Sequence, residues 1–263
     1  MDFSLLTYNT LFSNALLGLK KVHASQHPDI ICLQEIDTSE TTFKQVEALG
    51  YKLADYANAF IKFGKIYGVA TFYNPKKFVF IRSKVIFLPK GFLEIVMYLM
   101  RVFRTGRKNR TILKTEFACN KTGHKLVIYN VHLTPNGTNS LRQRQIQLML
   151  DDVKLTKVNK PTIMTGDFNY PYRRKQLETL MHAYGLKEAT NSIFFTMHAN
   201  APFSTWLERF ASKIFTRFMR NRVKLDYVFY KNCISLLAKK INVEYSDHYP
   251  IYTVFKLEKT LDC

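Results

Sequence analysis

The sequence PTIMTGDFNYP at residues 161–171 decides which fold we expect. The apolar run that opens it is typical of a buried strand, and Gly166 and Pro171 end that strand. Asp167 and Asn169 therefore lie where the strand runs out into a loop. Side chains two residues apart on an extended chain point the same way, so this carboxylate and this amide can address one ligand together. An isolated GDFN can equally be a surface turn whose side chains bond their own backbone.

The same design, a polar residue after or within an apolar run, recurs along the chain. The residues concerned are Asn9, Glu35, His132, Asp167, Asn169, Asp226, Asp247 and His248. Glu35 follows the run IICLQ and is costly to bury unless a cation pairs with it; the alternative is that it points to solvent. Jointly, these polar strand ends predict one site at one end of a sheet sandwich.

Apolar periodicity predicts a chain of alternating strands and helices. Strands are expected at 3–8, 29–33, 67–73, 78–88, 112–117, 125–131, 162–164, 223–230 and 251–255, and helices at 16–26, 43–49, 145–158 and 174–184. The chain has 263 residues, 47% of them hydrophobic, and no linker divides it. We therefore expect a single domain over residues 1–263.

Charge and cysteine content narrow the function classes. The net charge of +19, from 39 Lys and Arg against 20 Asp and Glu, indicates an anionic partner: nucleic acid, an acidic membrane surface or a phosphorylated substrate. The four cysteines form no CxxC pair, so neither a zinc cluster nor a disulfide framework is expected. The N-terminus lacks the pattern of a signal peptide. We expect a cytoplasmic monomer, with peripheral membrane association left open.

Two stretches, near residues 91–110 and 203–222, stand out as candidate specificity insertions. The first contains an apolar run at 92–103, too short for the ~20 residues that span a bilayer, followed by a cluster of cations. The second has the apolar period of an amphipathic helix with basic flanks. Either stretch can pack on its own domain, or it can meet an anionic partner such as a membrane surface or a phosphate backbone.

The acidic residues suit a hard metal ion. Carboxylate oxygens such as those of Glu35 and Asp247 favour Mg²⁺ or Mn²⁺ over zinc. A metal of this kind polarises a phosphoryl oxygen and stabilises the leaving oxygen. The residue types therefore fit metal-assisted hydrolysis of a phosphoester.

The remaining site residues suit activation of water and stabilisation of charge. Asp167 and Asn169 can orient and activate water, and His132 can donate to a non-bridging oxygen. His248 near the carboxylate of Asp226 can act as a base or as a phosphate-binding cation. No nucleophilic Ser or Cys motif is evident, so direct attack by water is favoured over a covalent intermediate.

Six motifs in a fixed order carry a family resemblance. They are Asn9 after the first strand, LQE at 33–35, NVHL at 130–133, GDFN at 166–169, LDYVF at 225–229 and SDHYP at 246–250. Together, from residue 9 to residue 255, they resemble the endonuclease/exonuclease/phosphatase superfamily. That superfamily includes deoxyribonuclease I, apurinic endonucleases, neutral sphingomyelinases, inositol-polyphosphate 5-phosphatases and deadenylases.

The resemblance implies a fold and a set of roles. The fold is a four-layer α/β sandwich of two mixed β-sheets packed face to face with helices outside. Mg²⁺ (or Mn²⁺) is expected at Glu35, with Asn9 and Asp247 near or on the metal. The expected catalytic residues are His132, Asp167, Asn169, Asp226 and His248.

The substrate is less specified than the chemistry. The expected function is Mg²⁺-dependent hydrolysis of phosphodiesters by metal-activated water, with DNA or RNA favoured because of the net charge of +19. One alternative is a sphingomyelinase-like or other phospholipid head-group phosphodiesterase at a membrane surface, since SDHYP also occurs in bacterial sphingomyelinases. The other is a non-catalytic module that binds nucleic acid or membranes.

Overall fold

The structure, a computed structural model, describes residues 1–62, 64–91, 110–135, 137–156, 160–197 and 223–257. The two candidate insertions near residues 91–110 and 203–222 thus lie outside the described residues, except for Gly91 and Arg110. Within the described part, no helix is long and apolar enough to cross a membrane.

The described residues form twelve strands and four helices. The strands are β1 (Asp2–Asn9), β2 (Ile30–Asp37), β3 (Lys52–Lys62), β4 (Lys65–Tyr73), β5 (Phe78–Phe87), β6 (Thr111–Cys119), β7 (Lys125–His132), β8 (Thr162–Asp167), β9 (Lys187–Glu188), β10 (Asp226–Lys231), β11 (Ile234–Lys240) and β12 (Ile251–Lys256). The helices are α1 (Leu16–Gln26), α2 (Glu40–Glu47), α3 (Asn139–Lys154) and α4 (Arg174–His182).

The strands pair into two mixed sheets. Sheet A has the order β11-β12-β1-β2-β4-β3, and sheet B has the order β5-β6-β7-β8-β10-β9. One pair in each sheet is parallel, β1 with β2 and β7 with β8. The other described neighbours run antiparallel.

Strand alternation explains the four layers, because successive side chains point to opposite faces of a sheet. In β1, Leu5 packs between the sheets and Leu6 packs under the helices. In β8, Ile163 packs between the sheets, whereas Met164 faces the helices on the other side. Helices α1 and α2 cover sheet A, and α3 and α4 cover sheet B. The expected four-layer α/β sandwich is therefore confirmed.

The layer between the sheets changes from apolar to polar at one end. In β7, Leu126 and Ile128 pack between the sheets, and Asn130 and His132 continue the same face. Equivalent polar positions on the other central strands are Thr7 and Asn9 in β1, Gln34 in β2, and Thr165 and Asp167 in β8. All of these residues are buried. The candidate site thus lies within the seam between the sheets.

Several elements differ from the sequence expectation, among them the two-residue strand β9, which was not expected, and helix α2, which begins at Glu40 and not at 43. Strands β3 and β11 were not expected; both are edge strands with several half-exposed positions, so their apolar pattern is weak. Helix α3 begins at Asn139 and not at 145, because Thr138 caps it and the buried Arg142 binds the carbonyls of Thr134 and Pro135. Polar residues in these first turns hide the helical period.

Candidate functional site

Three neighbouring strands of sheet B place three site residues side by side. In the β7–β8 pairing His132 lies opposite Asp167, and in the β8–β10 pairing Asp167 lies opposite Asp226. All three are buried, and Nε2 of His132 is 3.7 Å from Oδ2 of Asp167. The ladder itself therefore sets the spacing of this row.

His248 joins the row from the segment that precedes β12. Its Nδ1 is 2.8 Å from Oδ2 of Asp226. Because a carboxylate only accepts, Nδ1 carries the hydrogen and donates it to Asp226. The other ring nitrogen, Nε2, lies 3.9 Å from Oδ2 of Asp167. The expected pairing of the buried carboxylate with an imidazole is present.

Asp167 and Asn169 combine a local turn with long-range bonds. Oδ1 of Asp167 accepts the backbone N–H of Asn169 at 2.8 Å, and the φ of Asn169 is +48°. This is the side-chain turn considered from the sequence, but it is buried and not at the surface. Oδ2 of Asp167 accepts a hydrogen bond from the amide of Asn9 at 3.0 Å, and the Asn169 amide donates to the carbonyl of Leu133. Asn9 thus spans the seam between the sheets.

A β-bulge aims Glu35 into the site. Gln34 faces the seam, so in a regular strand Glu35 would face the helices. The β2–β4 register shifts between Gln34 and Ile36, and the φ of Glu35 is +53°. A bulge re-aims a side chain in this way. Oε1 of Glu35 lies 3.6 Å from Nε2 of His132, and the side chain of Glu35 is only 13% exposed, so Glu35 does not point to solvent.

Ser246 fastens the segment that carries Asp247 and His248. Its hydroxyl donates to the backbone carbonyl of Asn9 at 2.7 Å and accepts the backbone N–H of His248 at 3.1 Å. Asp247 lies at the rim, with Oδ1 4.0 Å from Nε2 of His248. All eight residues expected from the sequence therefore meet at one end of the seam.

The crowded carboxylates perturb one another. Burial raises the pKa of Glu35 to about 7; Arg110 opposes this shift, and the charges of Asp247 and Asp167 add to it. Burial likewise raises the pKa of Asp167 to about 6, against the charge of His248. At neutral pH these residues therefore hold more negative charge than the buried seam favours.

The two histidines are shifted in opposite directions. Burial, with the charges of Arg110 and His248, lowers the pKa of His132 well below its ordinary value. Burial alone would lower the pKa of His248, but the carboxylates of Asp226, Asp247 and Asp167 raise it well above its ordinary value. At neutral pH His132 is neutral and His248 is a cation.

The donor set fits a hard divalent cation. The charge of Asp247 raises the pKa of Glu35, and a cation beside these oxygens would relieve that repulsion. Among the described residues, no group of three or more His, Cys, Asp or Glu forms a ready-made cage. Magnesium is usually held by one or two carboxylates together with water and substrate phosphate, and Glu35 and Asp247 supply two carboxylates here.

Sequence reasoning gave no individual role to Arg110, which the structure brings to the site. Arg110 appeared only as one cation of a basic run, yet its Nη1 is 3.0 Å from Nδ1 and 2.7 Å from Nε2 of His132. Its guanidinium also lies over the ring of Phe60, 4.8 Å from the centroid. The position of Arg110 directly before strand β6 was the available signal.

Most of the chain matches the model of one known protein family. The model of the endonuclease/exonuclease/phosphatase family matches residues 6–248. The chain belongs to this family. Members of the family are phosphoesterase hydrolases that generally depend on a divalent metal. This member is accordingly a phosphoester hydrolase, and the alternative of a non-catalytic binding module is wrong.

Solved structures of similar fold cover nearly the whole chain, whereas no curated protein matches its sequence. The catalytic domain of human nocturnin with a bound sulfate anion is 20% identical, with 98% of this chain and 95% of that chain covered and a TM-score of 0.72. A mannosyl-6-phosphatase of Bacteroides thetaiotaomicron is 18% identical, with coverages of 96% and 99% and a TM-score of 0.67. ANGEL2, a 2',3'-cyclic phosphatase, is 16% identical, with coverages of 98% and 96% and a TM-score of 0.68. These similarities show that the chain has the same fold as these proteins.

Proposed function

We propose that this protein is a Mg²⁺-dependent phosphodiesterase that uses water as its nucleophile and acts on DNA or RNA. The observation that supports it most directly is the row of His132, Asp167 and Asp226, with His248 bonded to its end and Glu35 facing its start. A divalent metal at Glu35, with Asp247 and Asn9 beside it, would supply Lewis-acid stabilisation of the phosphoryl oxygens. Mn²⁺ can replace Mg²⁺ at such a site.

Asp167 is the proposed base. Its pKa of about 6 makes it a better proton acceptor at neutral pH than an ordinary carboxylate, yet leaves it ionised. The hydrogen bonds from Asn9 and from the backbone of Asn169 hold it in place, so that it can orient water and take a proton from it. The side chain of Asn169 lies beside it and helps to orient that water.

The two histidines take different proposed roles because their charges differ. His248, held as a cation by Asp226, presents Nε2 toward Asp167 and suits binding of the negatively charged phosphate. Neutral His132 can donate one N–H to a non-bridging oxygen. Between the base and the cation roles considered for His248, the raised pKa favours the cation.

The choice of nucleic acid rests on charge. The chain carries a net charge of +19, and two of its cations stand near the site on aromatic rings: Arg110 over Phe60, and Lys62 over Phe12 at 3.9 Å. A phosphate backbone engages many cations at once, and log affinity then falls with log salt by roughly 0.7 to 0.9 per contacted phosphate. The anionic phosphate substrates named for ANGEL2 and the mannosyl-6-phosphatase are compatible with such a site but leave the substrate open.

The test is hydrolysis of a panel of phosphoesters with Mg²⁺ or Mn²⁺, with and without a chelator. The panel contains bis-p-nitrophenyl phosphate, single- and double-stranded DNA, RNA, abasic DNA, sphingomyelin, inositol phosphates and mannose 6-phosphate. We expect chelator-sensitive turnover of the generic diester and of DNA or RNA, with the salt dependence given above. Turnover of sphingomyelin or of a monoester alone would refute the nuclease proposal, and the absence of chelator-sensitive turnover of any diester would refute the phosphodiesterase proposal.

A further inference from the structure

A pair of buried amides joins the two sheets directly beneath the site. Nε2 of Gln34 in β2 donates to Oδ1 of Asn130 in β7 at 2.8 Å. Both residues are fully buried. Gln34 directly precedes Glu35, and Asn130 lies two residues before His132 on the same face of its strand. The bond therefore links the segments that carry the two residues facing each other across the seam.

Asn130 also holds the backbone beside the bulge. Its amide donates to the carbonyl of Leu33 at 3.1 Å and to that of Ala70 at 3.0 Å, with Oγ1 of Thr71 farther away at 3.4 Å. Leu33 and Ala70 lie opposite each other in the β2–β4 pairing, one step before the register shift. A side chain of sheet B thus clamps the two strands of sheet A at the place where Glu35 leaves the ladder.

Stability alone does not account for these amides. Nε2 of Gln34 reaches Oγ1 of Thr7 at 3.1 Å and the carbonyl of Cys32 at 3.2 Å, but its Oε1 is buried without a hydrogen-bond partner among the described residues. A buried acceptor without a partner is destabilising, and replacing both partners of a buried hydrogen bond by apolar groups of the same shape is often nearly neutral. The hydrogen bond of this pair is directional, whereas the apolar contacts elsewhere in the seam are not. It can therefore fix the relative position of the two strands.

We propose that Gln34 and Asn130 are positioning residues that set the distance between Glu35 in sheet A and His132 in sheet B. This inference rests on the proposed function, because it assigns the amides a task in the same site. Neither residue touches the substrate. Their bond prevents one sheet from sliding over the other. Such sliding would change the separation of 3.6 Å between Oε1 of Glu35 and Nε2 of His132. Residues that orient the direct ligands of a metal affect affinity or activity by about 10- to 100-fold.

The test removes the amides while keeping their shapes. Asn130→Leu preserves the branched side chain and Gln34→Met preserves the unbranched one, so the double variant leaves no unpartnered amide. We expect kcat to fall about 10-fold or more with KM within about twofold, and Mn²⁺ affinity measured by calorimetry to fall about 10-fold. The melting temperature of the double variant should fall, because the carbonyls of Leu33 and Ala70 lose their amide donor, and Gln34→Met, which keeps those two bonds, separates this loss from the loss of kcat. Gln34→Met alone serves if the double variant does not fold, because Asn130 then keeps its bonds to Leu33 and Ala70.

The matched control is another polar bond between the sheets, formed by the edge strands β5 and β3 and not by the strands that carry site residues. The hydroxyl of Ser83 in β5 donates to Oδ2 of Asp55 in β3 at 2.5 Å. Ser83→Ala should leave kcat and Mn²⁺ affinity unchanged. Equal losses in Ser83→Ala, or a double variant within twofold of an active wild type, would overturn the inference alone. A wild type that neither binds Mn²⁺ nor hydrolyses a phosphoester would overturn the proposed function and this inference together.

Discussion

Sheets A and B contribute to the site in different ways. Sheet B supplies His132, Asp167 and Asp226 as a row in which each lies opposite the next across regular strand pairs. Sheet A supplies Glu35 from a bulge, at a φ of +53° that few non-glycine residues adopt. Positions in sheet B therefore follow from the whole ladder, whereas Glu35 depends on a local distortion that other residues must hold. The following substitutions separate the two kinds of support.

The largest effect is expected in the row of sheet B. Asp167→Asn should lower kcat at least about 100-fold, because the proposed base is lost while the bond from Asn169 can remain. His248→Ala should lower kcat to a similar extent through loss of the phosphate-binding cation. Steady-state kinetics on the best substrate of the panel, with the melting temperature alongside, measures both.

The control for Asp167→Asn is Asp151→Asn on the exposed face of α3, which makes the same chemical change away from the site. Asp151→Asn should retain wild-type kcat. Wild-type kcat in Asp167→Asn or His248→Ala would mean that the proposed roles are wrong.

An intermediate effect is expected from the glycine that precedes Asp167. Gly166 has a φ of +134°, and a Cβ at this position would lie 2.1 Å from the carbonyl oxygen of Val131 in the neighbouring strand. Gly166→Ala should therefore lower the free energy of unfolding by about 2 kcal/mol or more and shift the row. Gly123→Ala separates the two causes, since Gly123 has a φ of +68° with no atom within 4 Å of the added carbon.

Gly123→Ala should cost about 1 kcal/mol, from the backbone conformation alone. Denaturant unfolding of the two variants measures the difference. Equal losses of unfolding free energy in the two variants would show that the β7–β8 pair can move to accommodate an extra methyl group. Sheet B would then be no more rigid at the site than in its turns.

The smallest effect concerns Glu35 and changes with pH. Its pKa is about 7 in the folded protein against 4.5 for an ordinary glutamate, so without metal the folded state disfavours the charge. Above pH 7 the carboxylate is charged in both states and lowers stability; as pH falls from about 7 to 4.5 this penalty disappears. Glu35→Gln should therefore stabilise the metal-free protein by about 1 to 2 kcal/mol at pH 8, and the gain should vanish near pH 4.5.

Thermal unfolding in chelator across this pH range checks the prediction. The same variant should need more metal for activity, because one proposed ligand has lost its charge. If Glu35→Gln is less stable than the wild type at pH 8, the charged carboxylate of Glu35 stabilises the folded protein, and the prediction is wrong.

Much of the fold could be predicted because the central strands are buried on both faces. Continuous apolar runs such as DIICL and the one before GDFN mark these strands, and the polar residues at their ends mark the site. The position of α1 was predicted at the residues the structure gives it, 16–26. The family resemblance supplied the layering and the sheet types, which periodicity alone does not determine.

What could not be predicted depends on contacts between distant segments. The edge strand β3 reads KLADYANAFIK, which has no clean alternation, and only its pairing with β4 makes it a strand. The bulge at Glu35 is invisible in the sequence because LQE is compatible with a regular strand end. The amides of Gln34 and Asn130 are 96 positions apart, so neither reveals the other before the sheets are stacked.

The register of β8 also limits where residues can be deleted or inserted without loss of the site. Because strand side chains alternate between faces, deletion of one residue between Thr162 and Gly166 would turn Asp167 toward the helices and break its alignment with His132 and Asp226. A deletion of the same size in the β6–β7 turn around Gly123 would leave the row untouched. Length variation among descendants of this protein should therefore concentrate in its turns and be absent from the few residues that lead into GDFN.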